Sequence, residues 1–173
     1  EAVAADLARH GAKVATARHD LSDPAEVDAL VARIRRDGRP VAMLVNNAGF
    51  GSVGYFLDAD IARQLDMVEV NCRAAAEITY HVAQGMRRRG FGRIINVASI
   101  AAFMPLPSMA TYAATKAFLV SFTAALRAEL AGMRSALSDE RASMEADQAA
   151  LATVEERAAA RIEEVRQAVR KLK

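Results

Sequence analysis

Two short apolar runs stand out along the chain: Val41-Ala42-Met43-Leu44-Val45, and the Ile94-Ile95 pair inside Arg93-Ile94-Ile95-Asn96-Val97-Ala98. Continuous short runs of this kind predict strands of a parallel sheet covered on both faces. Between and around them, apolar residues recur three and four positions apart, the period of a helix with one buried face. Val27, Leu30, Val31 and Ile34 form such a stripe. Asp23 is placed as its N-cap, Pro24 takes the first helical position, Glu26 sits where a capping-box partner belongs, and Gly38 and Pro40 end it. Val3 and Leu7 predict the last turns of an earlier helix that stops at Gly11. A helical region from about 58 to 89 carries Asn71 in its middle, and another runs from Ala110 to Ala131, with Gly132 as its stop. Lys13 to Arg18 is a weaker strand candidate, with Val14 as its one β-branched apolar residue. Strands alternating with helices of this length predict an α/β fold, a partial doubly wound parallel sheet with flanking helices.

Beyond Gly132 the pattern changes. Proline, glycine and aromatic residues are absent from Ser138 to Lys173. Ser138 is positioned as an N-cap, with Asp139 and Glu140 in the first turn. Leu137, Met144, Leu151, Val154, Ala158, Ile162, Val165, Val169 and Leu172 then fall on one stripe, which predicts a long C-terminal amphipathic helix. Such a helix packs on the domain or pairs in a coiled coil. The chain therefore reads as a domain over 1–132 and a helical tail over 133–173.

Composition narrows the function class. An apolar content of 53% with 25% charged residues is that of a soluble globular protein. A net charge of +2 implies no nucleic-acid partner, and Arg87-Arg88-Arg89 before Gly90 read as a solvated helix end that complements the helix dipole. The longest uncharged run, Ile94 to Thr115, contains Asn96, Pro105 and Pro107, so no membrane span is expected. Cys72 is the lone cysteine, which excludes an internal disulfide and fits a reducing, cytoplasmic setting. His10, His19 and His81 show no ligand spacing with one another or with Cys72, so no metal site is expected.

Candidate chemistry gathers at one place. Ser99 lies where the 93–98 strand ends, and open α/β sheets bind ligands at the carboxyl ends of their strands. Tyr112 and Lys116 are spaced i, i+4, on one face of a helix. An ammonium held near a phenol favours the phenolate, as general acid/base work near neutral pH requires. Asn46-Asn47-Ala48-Gly49 is delivered to the end of the other strand and opens a glycine-rich loop through Gly54.

Asp20-Leu21, Asn46-Asn47-Ala48-Gly49, Asn71, Ser99 and Tyr112-Ala113-Ala114-Thr115-Lys116, in this order and with this interval between Ser99 and Tyr112, resemble the short-chain dehydrogenase/reductase family over residues 1–132. The resemblance implies a Rossmann-like fold and hydride transfer between NAD(P)(H) and a carbonyl or secondary alcohol, without choosing between NAD and NADP. It implies Tyr112 as the proton donor or acceptor and Lys116 as its partner and a ligand of the nicotinamide ribose. Ser99 would hold the substrate oxygen, and Asn71 would interrupt its helix and position a relay water. Asn47, Ala48 and Gly49 would pass beneath the adenosine half, with Asp20 and Leu21 flanking the adenine. Homo-oligomers packed on helices 58–89 and 109–131 are implied as well.

The departures carry expectations of their own. The family's opening strand, glycine-rich turn and helix, which bind pyrophosphate, have no counterpart in this sequence, and the helical tail stands where a further strand and a Pro-Gly loop belong. A chain truncated at both flanks is expected, and with it weak dinucleotide binding. A helix-mediated, non-catalytic remnant is the alternative reading, and a fusion or frameshift near Gly132 a third. With its neighbour strand missing, 13–18 would slide over to pair with 41–45 or stay unpaired. One sheet face would be left bare and apolar, to be covered by the tail helix or by another chain.

Overall fold

The computed structural model describes the backbone of residues 2–171 and most side chains from 4 to 133, with scattered side-chain positions in the tail. The chain divides into two compact units, Glu1–Leu126 and Arg127–Lys173.

In the first unit, helix α1 (Ala2–Arg9) ends where Gly11 adopts a left-handed φ of 80°. Helix α2 (Pro24–Asp37) starts on Asp23, whose carboxylate accepts the Ala25 N–H at 2.8 Å, and ends on left-handed Gly38. The expected capping box is not completed, because the Glu26 carboxylate takes His19 instead, at 2.8 Å. Strand β1 (Met43–Asn46) leads through the glycine-rich loop and a short 3₁₀ turn, Phe56–Asp58, to helix α3 (Ile61–Val68). Helical winding continues through a π segment, Glu69–Ala74, into helix α4 (Ala75–Arg89), which left-handed Gly90 terminates. Strand β2 (Arg93–Asn96) and a 3₁₀ turn, Ile100–Phe103, then precede helix α5 (Ala110–Lys171).

The two strands pair in parallel, Met43 opposite Arg93 and Asn46 opposite Asn96, so the crossover helices pack on the sheet as a βαβ unit demands. Val27 and Val31 of α2, with Ala74, Ile78, Val82 and Met86 of the π segment and α4, form the core, and Leu21, Leu30, Val41, Leu44 and Ile94 close on it. Each valine, leucine, isoleucine or methionine side chain, where fully buried, contributes about 1.5–3 kcal/mol relative to exposure. The alternate strand positions have no such cover: Met43, Val45, Ile95 and Val97 are 48%, 50%, 47% and 37% exposed. The apolar runs are thus buried on one face, not two, and the bare apolar face expected of this sheet is present among the described residues.

Two further expectations are corrected. Lys13 to Arg18 forms no strand: a strand requires a ladder partner, and among the described residues the sheet contains only β1 and β2. The segment is tied instead by the Arg33 guanidinium, which donates to Thr16 O at 2.9 Å. Helix α5 runs on through Gly132, so Gly132 is not a stop and Ser138 is not an N-cap. Gly38 and Gly90 terminate helices by taking positive φ; Gly132 does not, and glycine inside a helix costs only about 1 kcal/mol relative to alanine. Met144 in the predicted tail stripe is exposed; the side chains at Leu137, Leu151, Val154, Ala158, Ile162, Val165 and Val169, and all of Leu172, lie outside the described residues.

Candidate active site

The carboxyl ends of β1 and β2 are joined by a polar ladder. The Asn46 amide donates to Asn96 Oδ1 at 2.7 Å and to Thr79 Oγ1 at 2.8 Å, and the Asn96 amide donates to Thr123 Oγ1 at 2.8 Å. Facing asparagines thereby pin both strands to α4 and, at Thr123, to α5. This fixes where the loops beyond them begin.

Asn71 is 1% exposed and lies in the π segment, the local irregularity that the sequence position implies. Its amide nitrogen donates to Phe50 O at 2.9 Å and to Thr115 Oγ1 at 3.0 Å, while its Oδ1 accepts the Phe50 N–H at 3.1 Å. Both amide N–H groups are therefore engaged inside the protein. Thr115 Oγ1 passes the contact on by donating to Tyr112 O at 2.8 Å. Gly49 is required by this arrangement: a Cβ there would lie 2.8 Å from Asn71 Oδ1 and 3.5 Å from Lys116 Nζ.

Lys116 is 5% exposed, and its ammonium donates to Val97 O at 2.8 Å, just past β2. It stands 5.9 Å from the centre of the Tyr112 ring. That ring lies against Gly51, where a Cβ would meet Tyr112 Cδ2 at 2.9 Å. The half-buried Ser99 caps the 3₁₀ turn, its Oγ accepting the Ala101 N–H at 3.2 Å. Cys72, beside Asn71, donates weakly to Thr115 O at 3.8 Å; burial pushes its thiol up, and Lys116 opposes the shift.

Asn71, Gly49 and Lys116 thus come together, with Tyr112 alongside. Ser99, two residues beyond Val97, is engaged within its own turn, and Asn47 and Ala48 are exposed in the loop. Asp20 and Leu21 join none of these hydrogen bonds: Asp20 accepts the Ser22 N–H and hydroxyl at 2.9 and 2.7 Å, which lowers its carboxyl below the usual range, and Leu21 packs on the core. Residue-by-residue reading did not single out Thr115, Phe50, Gly51 or the Val97 carbonyl. The available signal was Thr115 at i+3 from Tyr112, where a helical threonine hydroxyl bonds back to the main chain.

Fold and site define a dinucleotide-type α/β domain with a buried Asn-Thr-Lys cluster next to a tyrosine. A sequence profile described as short chain dehydrogenase matches residues 1–134, and the chain belongs to that family. It is 38% identical over 121 residues to nodulation protein G of Azospirillum brasilense, covering 70% of this chain and 49% of that protein. It is 41% identical over 92 residues to a very-long-chain 3-oxoacyl-CoA reductase of Laccaria bicolor, covering 52% of this chain and 27% of that one. Among solved structures, a short-chain dehydrogenase from Sphingobium yanoikuyae in complex with NADPH superposes with a TM-score of 0.71 at 32% identity, over 76% of this chain and 52% of that one. The chain spans half or less of the length of these curated relatives.

The residues present fit one half of a nicotinamide dinucleotide. A buried ammonium and a phenol beside a glycine-lined loop suit a ribose and nicotinamide. The letters Gly49-Phe50-Gly51-Ser52-Val53-Gly54 spell G-x-G-x-x-G, yet Gly49 and Gly51 make room for Asn71 and Tyr112, and the loop opens onto a 3₁₀ turn. They do not form a pyrophosphate cradle. Helices α2 and α3 likewise begin on the carboxylates of Asp23 and Asp60, which disfavour an anion.

Proposed function

We propose that this chain carries the proton-transfer centre of an NAD(P)(H)-dependent oxidoreductase acting on a carbonyl or secondary alcohol. The observation that supports it most is the buried Lys116 ammonium, hydrogen-bonded to Val97 O and held beside Tyr112 and Gly49. A buried cation is costly to maintain, and this one stands 5.9 Å from the centre of the Tyr112 ring. The NADPH complex of the Sphingobium structure and the NADP complex of a metagenomic short-chain oxidoreductase, 27% identical with a TM-score of 0.71, agree with the cofactor class.

The bound cofactor supplies or accepts the hydride. Tyr112 gives the proton to the carbonyl oxygen in reduction and takes it back in oxidation. Lys116 holds positive charge beside Tyr112 and offers its remaining N–H groups to a ribose. The Ser99 hydroxyl donates to the substrate oxygen, where negative charge develops. Asn71 holds the Gly49–Gly51 loop against α5, and its spare acceptor capacity serves a relay water. Asn47 and Ala48, exposed in the same loop, and Asp20 with Leu21 are assigned to the adenosine half by family position.

A test that does not depend on a pyrophosphate cradle uses nicotinamide mononucleotide as the probe, with amide shifts of the full chain as the readout. Saturable shifts at Gly49, Gly51 and Lys116, lost in Lys116→Met and kept in Tyr112→Phe, are expected. Calorimetry with NAD⁺ and NADP⁺ should show binding weaker than micromolar. Absence of any saturable shift at these amides overturns the reading.

A further inference from the structure

At the opposite end of β1 from Asn46, the last turns of α2 and α4 and the residues leading into the strand line an open-sided cavity of about 280 Å³. Val31, Ile34, Val41 and Val82 supply the apolar part of its lining. Arg35, Arg39, Arg88 and Arg89 also line it, the Arg89 guanidinium donating to Val41 O at 2.7 Å, and no carboxylate lines it among the described residues. Arg39 is tied to Asp37 at 2.6 Å, outside the lining. Two helix carboxyl ends contribute about half a negative charge each, which leaves a surplus of roughly two positive charges around one concavity.

The arginines do more here than complement helix dipoles. The Arg35 guanidinium lies 2.7 Å from His81 Nδ1, a weaker partner for it than a carboxylate. Gly85, inside α4, has no side chain where one would lie 3.1 Å from an Arg89 terminal nitrogen and 3.9 Å from one of Arg88. A mid-helix glycine costs about 1 kcal/mol against alanine. What it provides is the space over which both guanidiniums lie beside the cavity.

We infer that this cavity, formed where α2 and α4 end and separate from the Tyr112–Lys116 site, is a binding site for a small phosphate monoester. Guanidiniums pair with phosphate oxygens in bidentate geometry, and the valine and isoleucine part of the lining favours an ester with a compact organic body over the bare ion. The volume lies at the lower limit of small-ligand pockets, about 300–1,000 Å³, so the body is small. An extended nucleic acid fits less well, because no Phe, Tyr or Trp lines the concavity among the described residues.

Phenyl phosphate, inorganic phosphate and a short DNA duplex, titrated separately into the full chain with amide shifts as readout, test this. Phenyl phosphate should shift Val41 and Gly85 saturably and bind about tenfold tighter than inorganic phosphate, through burial of its ring. Arg35→Gln with Arg88→Gln, both exposed positions that leave the core intact, should weaken it about tenfold. Gly85→Ala should weaken binding while keeping or raising Tm, which separates loss of space from loss of fold. Equal affinity for the bare ion overturns the ester assignment. No saturable shift, indifference to the double arginine change, or preferential binding of the duplex overturns the site.

Discussion

The two faces of the sheet are built from the same strands and nearly the same residue types, yet one is core and the other is open. Leu44 and Ile94 pack on α2 and α4; Val45 and Ile95, their direct neighbours in sequence, stand about half exposed. Strand composition therefore does not decide burial. The elements available to cover each face decide it. Hydrophobic patterning states what a residue could be buried against, and only the set of packed helices states whether it is.

This contrast can be broken at adjacent positions. Ile94→Ala should cost about 2 kcal/mol or more through lost transfer energy and a residual cavity, whereas Ile95→Ala should stay within about 0.5 kcal/mol. Urea unfolding of the two variants decides it, and equal losses would show that the open face is covered in solution. Next in size, Asn71→Ala should lower stability by about 2 kcal/mol, because it strands the Phe50 N–H and C=O and the Thr115 hydroxyl together. Gly51→Ala pushes a methyl group toward the Tyr112 ring; a displaced Tyr112 ring signal with Tm lowered by only a few degrees is the expected result.

A smaller effect concerns Cys72. Burial raises its thiol above the ordinary value of 9.0, so the folded state favours the neutral form. The stability this brings is fully present below the ordinary thiol range and is lost as pH rises through the raised value. Alkylation by iodoacetamide should be slower than for a free thiol at neutral pH and still accelerate beyond that range. A rate already level near 9 would contradict it. The open face offers the gentlest test: Ile95→Thr should reduce binding of an apolar dye while leaving the unfolding midpoint nearly unchanged.

The sequence was most readable where local and tertiary signals agree. Asp23-Pro24 and the left-handed glycines at 38 and 90 are local devices, and α2 and α4 lie where those devices put them. The strands at 43–46 and 93–96 were visible as apolar runs because a partner exists for each. Lys13 to Arg18 misled for the converse reason: its pattern suits a strand, but nothing stands beside it to complete a ladder. Gly132 misled because glycine ends a helix only by turning left-handed, and the good helix formers around it favour continuation. At the candidate site, i, i+4 spacing singled out Tyr112 and Lys116, since periodicity speaks for residues on helices, whereas Asn71 came from the family resemblance. Spacing was silent on Thr115 and Val97 O, whose parts arise from side chains meeting main chain across distant segments.

Asn71 also has a consequence for how the molecule forms. Its bonds reach back to Phe50 and forward to Thr115, so the loop after β1, the π segment and α5 are closed by one side chain. Such closures join segments remote along the chain, and their loop entropy is met only once the intervening helices have condensed. The Phe50 amide, whose acceptor is that side chain, is therefore not released by fraying of the loop alone. Its hydrogen exchange should follow opening of the whole unit, which makes a loop proton a reporter of global unfolding.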